Sequence, residues 1–192
     1  MKLTLPMIAA ALLLSSATAI ADREVEDYSK TINMFKGNET VAPYFGNAYG
    51  YAVFPTIGKG GIGIGGAHGK GQVYTGGGAT GFTSMTQVTI GLQLGGQAYS
   101  QVIFFKDQSS YENFTSGNFE FDAQASAIAV TASAQASAGT TGSGASAGAG
   151  GSAGKQAGTE YRKGMQTFVI GKGGLMYEAS IGGQKFGYDP VG

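Results

Sequence analysis

The stretch Gln87-Val-Thr-Ile-Gly-Leu-Gln-Leu-Gly-Gly96 decides the fold. In it Val88, Ile90, Leu92 and Leu94 alternate with Thr89, Gly91, Gln93 and Gly95. Successive side chains of a strand point to opposite sides, so a period of two over this length marks a strand with one apolar face. That face is expected to turn toward a dry interior. Gly95-Gly96 reads as a turn, and Tyr99 to Phe105 as a bulky, buried return strand.

Strand signals continue on both sides. Upstream, Tyr51-Ala-Val-Phe54 is a short β run stopped by Pro55, which has no N–H to give a ladder. Ile62 and Ile64 alternate with Gly63 and Gly65, and His68-Gly-Lys-Gly71 reads as a turn before Val73 and Tyr74. Downstream, strands are expected at Gln166 to Ile170, Leu175 to Ile181 and Gln184 to Tyr188. The run Ile57-Gly-Lys-Gly-Gly61 recurs as Ile170-Gly-Lys-Gly-Gly174. Both copies read as hairpins with glycines in the positive-φ turn positions and one Lys at each tip. Similar hairpins of this kind are expected to lie side by side.

Helical signals are fewer. Val25, Tyr28, Ile32 and Phe35 fall on one stripe within residues 22–46. Gly37 ends that helix, Asn38 caps a short second one, and Pro43 fits only its first turn. Residues 22–40 hold three basic and five acidic side chains. Helices that lie on membranes are usually rich in Lys and Arg, so this one reads as a cover for a sheet. Asp107 opens another short helix, with Tyr111 and Phe114 pointing inward. Phe119 to about Ser133 alternates as a strand. From Ala136 to Gly158 only Ala, Gly, Ser, Thr, Lys and Gln occur. Such a stretch buries too little apolar area to offset its ordering entropy and reads as a flexible loop. The fold class expected is α+β, mostly antiparallel sheet, sandwich- or barrel-like, with an N-terminal helical segment.

The N-terminus reads as a secretory signal peptide over residues 1–21: Lys2, the apolar run Met7 to Leu14, and Ala19-Ile20-Ala21 as the cleavage signal. Residues 22–192 then form a single domain, exported to the periplasm or to the periplasmic face of an envelope membrane. Lys2 is the only charge removed, which leaves 11 basic and 12 acidic side chains. That balance gives no general attraction to nucleic acid or to an anionic membrane, so any electrostatic attraction must be local. Cysteine is absent, so stability must come from burial and hydrogen bonds rather than disulfides.

No motif carries catalysis. Gly58 to Gly63 matches G-x-G-x-x-G, but a strand follows it and Gly78 to Thr83 hold no acid. His68 is the only histidine, and residues 40–106 contain no Asp or Glu to form a triad or metal site with it. No cofactor and no metal are expected. The same carboxylate-free window holds Lys59, His68 and Lys70, with Lys172 and Lys185 further on. Neighbouring hairpins would bring these together as a small cationic patch suited to a phosphate or sulfate. Scattered solubilising lysines are the bland alternative.

Several segments together resemble the SYLF lipid-binding domain family. They are Gly50-Tyr-Ala-Val-Phe-Pro55, Gly58-Lys-Gly-Gly61, Gly81-Phe-Thr-Ser84, Gly91-Leu-Gln-Leu-Gly-Gly-Gln97 and Phe186-Gly-Tyr188, in order over roughly Tyr28 to Tyr188. The resemblance implies a non-catalytic domain that binds membrane lipid, with phosphoinositides as the ligands associated with eukaryotic members. Some of those also bind actin, a role that an export signal makes implausible. Lys59, His68, Lys70, Lys172 and Lys185 are the candidate headgroup contacts. Two other readings stand beside it. Gln87 to Gly96 has the length and alternation of an outer-membrane β-barrel strand, and a structural envelope protein with no small ligand fits the same composition.

Overall fold

The computed structural model describes residues 24–117, 119–121, 127–130, 161–181 and 183–192. The expected signal peptide and the 136–158 loop lie outside them. The elements are α1 (Ser29–Lys36), α2 (Ala42–Asn47), β1 (Gly50–Thr75), β2 (Gly78–Phe105), α3 (Gln108–Thr115), β3 (Phe119–Phe121), β4 (Ala127–Ala129), β5 (Met165–Ile181) and β6 (Gln184–Pro190). The fold is α+β and mostly antiparallel sheet, as the sequence implies.

Among the described residues one six-stranded sheet holds all the strands, ordered β3-β6-β2-β5-β4, with β1 on the other edge of β2. β1 and β2 form one long hairpin, closed at Gly76-Gly77, whose φ values of 59° and 87° only glycine adopts easily. Along the opposite edge of β2, β5 pairs from Phe105↔Met165 to Ile90↔Ile181, and β6 continues the same ladder from Gln87↔Gln184 to Gly81↔Pro190. The body is therefore a ribbon of three long strands.

That ribbon is folded double. A straight strand of 26 residues would reach about 86 Å at about 3.3 Å per residue. Instead the two arms of β1 meet. A Cβ on Gly71 would stand 2.5 Å from the Val53 carbonyl oxygen, and one on Gly50 would stand 2.5 Å from that of Tyr74. The bend falls at the glycines. Gly63 has φ +71°, Gly95 φ 120° and Gly173 φ 132°. Pairing shifts there too: Ile62 faces Leu94 while Ile64 faces Ile90, so β2 takes two extra residues around the corner.

Two cores result. Between the arms, Ala52, Phe54, Ile57, Ala67, Val73, Met85, Ile103, Phe105, Phe114, Met165 and Phe186 form one cluster. On the outside of the first arm, Val53, Val102, Phe104, Phe168 and Ile170 pack beneath Phe35 and Val41, with Tyr44 and Phe45 of α2 against them. Each fully buried side chain of this size stabilises by roughly 1.5–3 kcal/mol.

The short helices follow their local signals. Asp107 accepts hydrogen bonds from the Ser110 N–H (2.9 Å) and hydroxyl (2.7 Å) and starts α3, which buries Phe114. Pro43 sits in the first turn of α2 as expected, but Asn38 does not cap that helix: its side chain accepts from the N–H groups of Thr40 and Val41 in the preceding turn, and the N-cap position is Val41, with no side-chain hydrogen bond. Gly37 follows α1 as its C-cap.

Several expectations are corrected. Pro55 does not stop a strand; β1 passes through it with an irregularity between Phe54 and Ile57, and the Pro55 carbonyl accepts the Ser100 hydroxyl (2.7 Å). His68 to Gly71, Gly95-Gly96 and both copies of the Ile-Gly-Lys-Gly-Gly run lie inside strands rather than at turns. The two copies do flank β2 side by side. β5 is one strand where two were expected. Residues 119–121 and 127–129 are separate short strands on opposite edges of the sheet. Val25 precedes α1 and is exposed, so the stripe begins at Tyr28.

The largest correction concerns the decisive stretch itself. Its apolar face points outward: Val88, Ile90 and Leu94 are 61, 69 and 57 % exposed, while Gln87 and Thr89 are buried. The cause is strand parity. Met85, Ile103 and Phe105 occupy the same alternate positions of β2 as Gln87 and Thr89. Burying the first set at both ends of the strand commits the middle to the same side. Val102 and Phe104, on the other side, are covered by α1 and α2, whereas Val88, Ile90 and Leu94 are not.

Candidate functional site

The bend is built to project apolar side chains. A Cβ on Gly61 would fall 2.4 Å from the Gly65 Cα and 2.5 Å from the Ile64 oxygen, so only glycine permits this tight corner. Ile62 and Ile64 ride on it, 81 and 69 % exposed. They pair directly with Leu94 and Ile90. Ile62, Ile64, Val88, Ile90 and Leu94 thus form one aliphatic ridge across two strands. Scattered exposed aliphatics are ordinary; here Ile62 with Leu94 and Ile64 with Ile90 are paired at a single corner.

Beneath the ridge the interior is polar. Gln101 donates to the Gln184 side-chain oxygen at 3.4 Å, and Gln184 faces Gln87 across the β2–β6 ladder. Apolar outside and amide-lined inside is the reverse of the two aromatic cores.

The five predicted cations separate into groups. His68 and Lys70 line an open cleft of about 650 Å³ with Pro55, Thr56 and Gly58 of the first β1 arm. The His68 Nδ1 lies 3.3 Å from the Thr86 hydroxyl. Lys185 is paired with Thr86 on its other side, so His68 and Lys185 stand about 10 Å apart across β2, one row from Val88 on the ridge. Lys172 donates to the Thr56 hydroxyl (2.8 Å) at the rim of the cleft. Lys59 is level with Gly174 two strands away, two residues beyond Lys172, and stands two positions after buried Ile57 and so on the opposite side of β1 from Thr56. The compact Lys59–Lys172 pair expected at two hairpin tips is therefore not formed, because those segments are not tips. Cations instead flank the bend on both arms.

Sequence reasoning missed the cleft's third wall. Glu26, Asp27, Tyr28, Lys30 and Thr31 close it from the N-terminal side. The Glu26 carbonyl accepts a hydrogen bond from Gln72 Nε2 (3.2 Å), which fastens this segment to β1. The Ser29 N–H donates to the Asp27 carboxylate (2.8 Å) and holds its pKa below the usual carboxylate value. Burial, and then the nearby Glu26 charge, push the Tyr28 phenol upward. Two carboxylates thus enter a region that is free of them in sequence. Among the described residues no helix is long and apolar enough to cross a membrane.

No protein-family model matches the chain, and no curated protein matches it. The SYLF resemblance rests on the quoted motifs alone.

Proposed function

We propose that the protein is a non-catalytic lipid-binding protein of the bacterial envelope that docks on a membrane surface through the bend of its folded ribbon. The observation that carries this reading is the aliphatic ridge with cations on both flanks. Val88, Ile90, Leu94, Ile62 and Ile64 enter the acyl boundary, while His68, Lys70 and Lys185 on one arm and Lys172 on the other meet phosphate groups. Burying five such side chains supplies, gross, on the order of 5–10 kcal/mol. Association costs take several kcal/mol from that, and attraction of the flanking cations to anionic lipid adds to it. Lysine stems lying along apolar surface with their ammonium groups at the headgroups suit the same placement.

Co-sedimentation with liposomes tests it. Wild-type protein is expected to pellet with vesicles, more so as anionic lipid increases and less as salt rises. Ile62→Asn with Ile90→Asn is expected to lower binding at least about tenfold, the effect of losing roughly 1.4 kcal/mol or more. Failure to bind any vesicle at low salt ends the reading.

The polar interior beneath an apolar exterior favours a second reading, an outer-membrane β-barrel. The helices covering one arm and the polar row His68–Thr86–Lys185 restrict any lipid belt to the bend. A protein that stays in solution without detergent excludes the barrel. Purified protein that carries no lipid and ignores vesicles favours a structural role instead.

A further inference from the structure

The cleft beside the ridge carries charges of both signs, and that combination narrows what it can hold. Lys30, His68 and Lys70 lie on its walls with Glu26 and Asp27, and Lys172 reaches its rim through Thr56. Lys30, Lys70 and Glu26 are all exposed. Asp27 is already committed to the Ser29 N–H; the Glu26 backbone is pinned by Gln72 while its carboxylate stays in solvent. A simple phosphate entering here meets the Glu26 carboxylate as a like charge. A simple amine meets the Lys30 and Lys70 ammonium groups as like charges. A group that carries both a phosphate and an ammonium satisfies charges of both signs at once.

The cleft also sits where a lipid headgroup would lie. Gly58 is four residues before Ile62, and His68 is four after Ile64. Both stand about 13 Å along the strand from the apolar corner at about 3.3 Å per residue. A molecule with its chains against the ridge has its polar end at the cleft mouth.

We propose that this cleft binds a phosphate ester bearing an ammonium group, the chemistry of a phosphoethanolamine headgroup. Lys70, His68 and Lys30 hold the phosphate, and Glu26 takes the ammonium. The proposal rests on the membrane-docking reading only for the lipid as source; the same chemistry also arrives as a soluble ester.

Two arms separate the sources. In the first, backbone amide resonances of the full chain are followed by NMR as glycerophosphoethanolamine, inorganic phosphate or ethanolamine is added. The ester is expected to shift the amides of residues 26–31 and 68–70 and to bind roughly fivefold more tightly than phosphate. Glu26→Gln is expected to abolish that preference while phosphate binding persists, and Lys70→Ala to weaken both. Equal affinity for ester and phosphate, an unchanged preference in Glu26→Gln, or no shifts at these residues overturns the proposal. In the second arm, vesicles of phosphatidylglycerol, whose headgroup has the phosphate but no ammonium, are compared with vesicles containing phosphatidylethanolamine. Glu26→Gln is expected to reduce binding only to the latter, and loss of the ridge isoleucines to reduce binding to both. Soluble-ester binding with no vesicle binding retains the cleft chemistry and removes the docking reading. Vesicle binding with no ester preference does the opposite.

Discussion

Single glycines decide whether the ribbon can close on itself. At Gly71 an added methyl would meet the Val53 oxygen at 2.5 Å and the Phe54 ring at 2.7 Å. Gly71→Ala is therefore expected to destabilise by about 1–3 kcal/mol, as overpacking does. Gly58→Ala, whose Cβ meets nothing within 4 Å, is expected to be close to neutral, and denaturant titration of both variants checks the contrast. Tyrosines set the alkaline limit. Burial first, then the charges of Tyr51, Tyr28 and Asp27, raise Tyr74 to about 12. Tyr188 is also raised to about 12, by burial first; its hydroxyl donates to the Thr80 carbonyl at 2.9 Å. A phenol with a raised folded pKa favours the native state fully below its unfolded value of about 10. That contribution is lost as pH climbs toward 12. Stability followed by circular dichroism is expected to fall across this window, and Tyr74→Phe with Tyr188→Phe to shift the fall to higher pH.

Among the elements, those governed by local chemistry were legible and those governed by distant contacts were not. Asp107 with Phe114, Pro43, and Gly37 each state a helix boundary within a few residues of themselves. Asp107→Ala is expected to lower the melting temperature, and the loss is expected to shrink as pH falls through the depressed Asp107 pKa, because the protonated acid is a poorer cap. Strand breaks are not legible locally, for the opposite reason. Glycine pairs and Pro55 look like punctuation, yet at Gly95, Gly173 and Pro55 they are irregularities inside continuous strands, held there by ladders on both edges of β2. Gly61 shows why glycine matters at the corner. Gly61→Ala cannot keep the turn that lifts Ile62 and Ile64. It is expected to weaken vesicle binding although both isoleucines remain, while the far-ultraviolet spectrum stays that of a sheet.

For the whole molecule, alternation revealed the strands but not which side faces inward. Period two in residues 87–96 is satisfied equally by either orientation. The choice was made at the ends of β2, where Met85, Ile103 and Phe105 go inside and carry Gln87 and Thr89 with them. A hint was present in sequence: a face made of Gln87, Thr89 and Gln93 also alternates, as in a membrane strand. The cleft was half legible. His68 and Lys70 were found from a window without carboxylates, but Glu26, Asp27 and Lys30 reach them only through the doubling back of the chain. The central claim is that the bend, and not the helical side, meets the bilayer. Since the chain has no cysteine, single cysteines at positions 62, 90 and 116 can each carry one environment-sensitive fluorophore. With vesicles containing quencher lipids, labels replacing Ile62 and Ile90 are expected to shift to the blue and be quenched, while the label replacing Ser116 stays unchanged. Equal response at all three positions, or none at 62 and 90 while the protein pellets with the vesicles, would contradict the account.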